Sequence, residues 1–66
     1  MTELDVWRSA DLLMKRYGAE AIIIAAKRVA ALVDVGDLEG CAAWVRIARV
    51  IVSLQRGKPS DGEAVN

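Results

Sequence analysis

The chain has 66 residues, of which 55% are hydrophobic and 27% charged, and its nine basic and nine acidic side chains cancel to a formal net charge of zero. This length allows one domain and excludes a large internal active-site cavity, because short chains bury a poor fraction of their surface. The apolar content excludes wholesale disorder, and the zero net charge argues against a dedicated non-specific nucleic-acid binder, which carries a net positive field.

The first helix is expected over residues 3–17. The Thr2 hydroxyl can accept an orphan backbone N–H, while Glu3 and Asp5 meet the positive end of the helix dipole. Val6, Ala10, Leu13, Met14 and Tyr17 recur at three- and four-residue spacing, with Arg8, Asp11, Lys15 and Arg16 mostly on the other side. Gly18 suits the left-handed position just past a helix end and stops the element there.

The second segment, residues 19–35, contains an Ile22-Ile23-Ile24 run that suggests a strand, but its length and its alanines favour a helix. Glu20, Lys27 and Asp34 share one narrow stripe with Arg28 on its flank, and the rest is apolar, so this helix is expected to be the central, most enclosed element. Val35-Gly36-Asp37 joins a terminating glycine to a capping aspartate and should turn the chain back, setting the second and third helices antiparallel.

The third helix is expected over residues 38–56, with Gly57 and Pro59 beyond its end and Ser60 to Asn66 a polar, disordered tail. Glu39, Ala42, Arg46, Arg49, Ser53 and Arg56 form its hydrophilic stripe; apolar residues occupy well over half of the circumference. The fold expected is therefore all-α, a compact three-helix bundle spanning residues 1–57, with residues 58–66 as the tail.

A core in a chain this short rarely supplies more than ~3–5 kcal/mol, so small domains add a disulfide, a metal or a partner. Cys41 is the only cysteine and there is no histidine, which removes an internal disulfide and the Cys/His zinc patterns. Association remains, and a homodimer through the second and third helices is expected, with Ile23, Trp44, Ile47, Ile51 and Leu54 at its seam.

Charge is unevenly spread. Residues 1–39 carry five basic and seven acidic side chains, whereas residues 40–58 carry Arg46, Arg49, Arg56 and Lys58 with no acid. Arg46, Arg49 and Arg56 are the candidate partner-binding residues, suited to an acidic protein surface or, as the alternative, to nucleic acid contacted by a small dimeric regulator. The bland account of the same stripe is a solvated face.

The remaining candidates favour structural roles. Cys41 near a helix start invites a reactive thiolate, but with Ala42 and Ala43 beside it and no histidine base it reads as a packed side chain. Asp34, Asp37 and Glu39 lack the loop length and oxygen spacing of a calcium site, and capping and dipole effects account for Asp37 and Glu39. Trp7, Tyr17 and Trp44 lack the basic interleaving used for base stacking and read as core or interface anchors. A helix-turn-helix is disfavoured because the third helix opens Leu38-Glu39-Gly40-Cys41-Ala42-Ala43-Trp44, with few polar groups to read bases. No catalytic residue, cofactor or metal site is expected, since a nucleophile paired with a base and a phosphate-cradling glycine loop are both lacking.

The acidic start Met1-Thr2-Glu3-Leu4-Asp5 does not read as a secretory signal, and Lys27, Arg28, Arg46 and Arg49 interrupt the apolar segments, so no transmembrane segment and a cytoplasmic location are expected. A membrane-surface role for the amphipathic, basic third helix is the remaining possibility from composition.

The layout Trp7-Arg8-Ser9-Ala10, Leu13, Tyr17-Gly18, Ala25-Ala26-Lys27-Arg28, Gly36-Asp37, Gly40 and Trp44-Val45-Arg46-Ile47 through Leu54-Gln55 resembles a family of short uncharacterised alphaproteobacterial helical proteins. The resemblance spans about residues 6–55 and implies a stand-alone bacterial protein with no assigned activity. Members of that family often carry histidine where Tyr17 stands here, so general chemistry at that position is not implied.

Overall fold

The first and the last helix of this chain each start with a side chain turned back on its own backbone. In the computed structural model, which describes residues 2–56, the Asp5 amide donates to Thr2 Oγ1 at 3.1 Å and the Thr2 amide donates to Asp5 Oδ2 at 3.4 Å. This reciprocal box satisfies two donors that the helix cannot satisfy internally, and it opens α1, Glu3–Tyr17. At the other start, the Gly40 amide donates to Asp37 Oδ1 at 2.9 Å and opens α3, Leu38–Arg56. Between them lies α2, Ala21–Asp34.

The described residues are all helical apart from their ends and the 35–37 turn, and the fold is compact, without strands. The junction between α1 and α2 differs from the expected stop. Gly18 takes a positive φ of 59°, but Gly18–Glu20 forms a single 3-10 turn that leads straight into Ala21. Helical residues therefore continue from Glu3 to Asp34, and the described residues form two uninterrupted helical stretches, 3–34 and 38–56, in place of three separate helices. The physical reason is that the Ala19-Glu20-Ala21 sequence after the glycine is itself helix-forming, so the backbone changes direction at one residue and resumes hydrogen bonding at once.

The second turn is a paired-hydrogen-bond helix stop. The Gly36 amide donates to the Val33 carbonyl at 3.0 Å and the Asp37 amide to the Leu32 carbonyl at 2.9 Å, with Gly36 at φ 77°. These two bonds satisfy the last carbonyls of α2, and the positive φ explains the glycine. The chain then reverses: Gln55 Nε2 reaches the Gly18 carbonyl at 3.4 Å, and the Arg28 guanidinium lies 5.2 Å from the centroid of the Trp44 ring. Pairs so far apart in sequence fix α3 antiparallel to α2.

The core is small. Val6 and Ala10 from α1, Ala21 and Ala25 from α2, and Ile47 and Ile51 from α3 are its wholly buried members. Leu13, Met14, Ile22, Trp44, Ala48 and Val50 pack around them. Three of these six residues are alanines, so the helices gain burial by close backbone approach more than by bulky side chains.

This arrangement corrects the expectation that the second helix is the most enclosed. It is α3 that contacts both other helices extensively, while α1 and α2 touch each other only slightly. The isoleucine run of α2 is shared out around the helix, with Ile23 52% exposed and Ile22 and Ile24 half-buried.

Candidate functional site

On α3 the hydrophilic stripe lies where its spacing placed it: Glu39, Ala42, Arg46, Arg49, Ser53 and Arg56 are all exposed. Beside this stripe the two hairpin helices leave a shallow groove. Ala26 and Val29 from α2 form one wall, Val45, Ala48 and Val52 from α3 the other, and Arg49 stands on the rim. The groove is almost wholly apolar because every wall residue is aliphatic. Val45 and Val52 are 38% and 37% exposed.

Arg49 and Arg56 come together with Ser53 and Val52 around a second, polar depression that continues from the groove. Arg46 does not join them. It lines a separate recess with Glu39, Gly40, Ala42 and Ala43, nearer the start of α3. The three arginines thus divide two and one, and the acid Glu39 lies in the recess with Arg46. Among the described residues the one ion pair is Asp11 with Lys15, at 3.1 Å on the exposed side of α1.

The expected seam residues are dispersed. Ile23 is exposed, and Trp44 and Leu54 are half-buried. Ile47 and Ile51 are wholly buried within the chain's own core, which corrects their assignment to a seam, since a side chain with no exposed area has none to lose on association. Helical periodicity could not separate them from Val45 and Val52, because all four fall within one broad apolar arc. The groove residues Ala26, Val29, Ala48 and Val52 are not set apart in the sequence for the same reason: alanine and valine fit core and surface alike.

Cys41 is a half-buried free thiol. Asp37 is engaged in capping, and no group of three or more potential metal ligands exists among the described residues. No helix among them is long and apolar enough to cross a membrane.

Fold and surface together define a small all-helical protein with an uncovered apolar face between α2 and α3. No protein-family model, no curated protein and no solved structure matches the chain. What its surface supports must accordingly be argued from its own residues.

Proposed function

We propose that the protein is a non-enzymatic interaction or assembly module that self-associates through α2 and α3, in the cytoplasmic setting expected from its sequence. The observation that carries this reading is the groove of Ala26, Val29, Val45, Ala48 and Val52, an aliphatic surface rimmed by Arg49 and left uncovered by a single chain. The small core is the energetic complement. With three alanines among six buried residues, one copy has little apolar burial to set against chain entropy, and covering the groove adds more.

Ile23, exposed on α2, belongs to the seam in this reading. Light scattering at micromolar concentration tests it. The expected mass is twice the 7.1 kDa of one chain, and a stable protein that remains strictly monomeric overturns the reading.

A second reading, a small dimeric regulator that contacts nucleic acid, draws on the pairing of Arg49 and Arg56 around one depression that no acid lines. It requires affinity that falls steeply with salt and is lost on charge reversal at Arg49 and Arg56. Absence of binding at low salt removes it.

A further inference from the structure

A separate depression lies on a different surface of the molecule. Where α1, α2 and α3 converge, Ser9, Leu12, Leu13, Arg16 and Tyr17 of α1, Ile24 and Arg28 of α2, and Trp44 of α3 line a half-open cleft of about 300 Å³, with Leu12 at its exposed edge. It shares no residue with the groove between α2 and α3.

Two features of the cleft are chemically specific. First, each of its guanidinium groups is set against an aromatic ring: Arg28 lies 5.2 Å from the Trp44 centroid and Arg16 lies 6.0 Å from that of Tyr17. A ring accepts a guanidinium through its π-face without using up the N–H donors, which stay available to other partners. Second, no carboxylate lines the cleft, and neither arginine belongs to an ion pair among the described residues. Two cations therefore share one lining with the leucine and isoleucine side chains of Leu12, Leu13 and Ile24 and with the hydroxyls of Ser9 and Tyr17.

We propose that this cleft binds a small organic carboxylate with an apolar body. The carboxylate matches the paired N–H donors of a guanidinium, and the apolar body covers the aliphatic wall. The volume sits at the lower end of the range of small-molecule sites, which limits the ligand to about the size of a bicyclic aromatic acid. A purely apolar ligand leaves the two cations unanswered, and a small inorganic anion leaves the aliphatic wall exposed, so the two features together select the amphiphilic class.

The test is a titration of the full, ¹⁵N-labelled chain with naphthalene-2-carboxylate and, separately, with its neutral carboxamide, followed by NMR. The two tryptophans provide an internal control, because Trp44 lines the cleft and Trp7 does not. The expected result is a progressive shift of the Trp44 indole N–H with Trp7 unmoved, and affinity for the acid about tenfold or more above that for the amide. In the double variant Arg16→Gln/Arg28→Gln the acid loses its advantage while the spectrum stays dispersed.

Three results overturn the proposal: equal affinity for acid and amide, shifts at Trp7 or at Val45 and Val52 in place of Trp44, or no shift at millimolar ligand. The comparison of acid with amide is made on the unaltered protein, so it decides the matter even where a variant fails to fold. None of these results bears on self-association through the groove, which shares no residue with the cleft.

Discussion

Asp37 and Gly40 act as one unit at the start of α3. The Asp37 carboxylate accepts the Gly40 amide at 2.9 Å, and a Cβ placed on Gly40 would stand 2.5 Å from Asp37 Oδ2 and 2.9 Å from Asp37 Cγ. A glycine inside a helix ordinarily costs about 0.5–1 kcal/mol relative to alanine, so its presence in the first turn is explained by the space the cap needs. Asp37→Ala is expected to destabilise the fold by about 1 kcal/mol. Gly40→Ala alone should fail to give the usual gain, because the new methyl displaces the cap, whereas in the Asp37→Ala background the same change should stabilise by up to about 1 kcal/mol. Chemical denaturation of the four proteins of this cycle measures the coupling, and additive effects would contradict it. A larger loss is expected at Ile47, which is wholly buried: Ile47→Ala should cost about 2–5 kcal/mol, as much as a core of this size supplies. Circular dichroism should find that variant largely unfolded, with Ile47→Val retaining its helices.

Among the elements, α3 decides the architecture, because it alone packs extensively on both other helices. The start of α1 and the turn from α2 to α3 were legible in the sequence through local chemistry, because the Thr2 box, the Gly36 stop and the Asp37 cap each act within a few residues of themselves; the junction of α1 with α2 was not, since Gly18 bends the chain without ending the helical stretch. Which helix lies at the centre was not legible, because hydropathy records how apolar a segment is and not what faces it. The alanines of α2 illustrate the difference. Ala21 and Ala25 are wholly buried while Ala26 and Ala30 are exposed, although composition treats them alike. The two faces of α3 should therefore respond differently to substitution. Val45→Glu and Val52→Glu place a charge on residues already partly in water, so the helical signal should persist while the light-scattering mass falls to that of one chain. Loss of folding in both variants would instead assign these valines to the core.

For the molecule as a whole, the balance between a six-residue core and many large apolar side chains left in water governs behaviour. Leu4, Leu12, Val33, Val35 and Leu38 are each more than half exposed, in addition to the groove. If association covers the α2–α3 face, stability depends on protein concentration: the midpoint of thermal unfolding should rise as the chain is concentrated, since a partner that binds only the folded state stabilises it by mass action. A midpoint that is constant across a hundredfold range of concentration would count against a dimer. Arg56 adds a separate expectation, that charge reversal there leaves this midpoint nearly unchanged, because it is exposed, lies outside the groove lining, and surface charges contribute little. By itself the sequence determined the helical content, the starts of α1 and α3, the turn at Gly36, and the exposure of the Arg46, Arg49 and Arg56 stripe, because caps, glycine stops and charge act locally. Tertiary structure alone decided that Ile47 and Ile51 lie inside while Val45 and Val52 lie outside, and that Arg49 and Arg56 share a depression from which Arg46 is separated. It also brought Arg16 and Arg28 to one cleft with Trp44. These are outcomes of packing between segments distant in sequence, where close approach at small residues sets the angle and so selects which part of each apolar arc is covered.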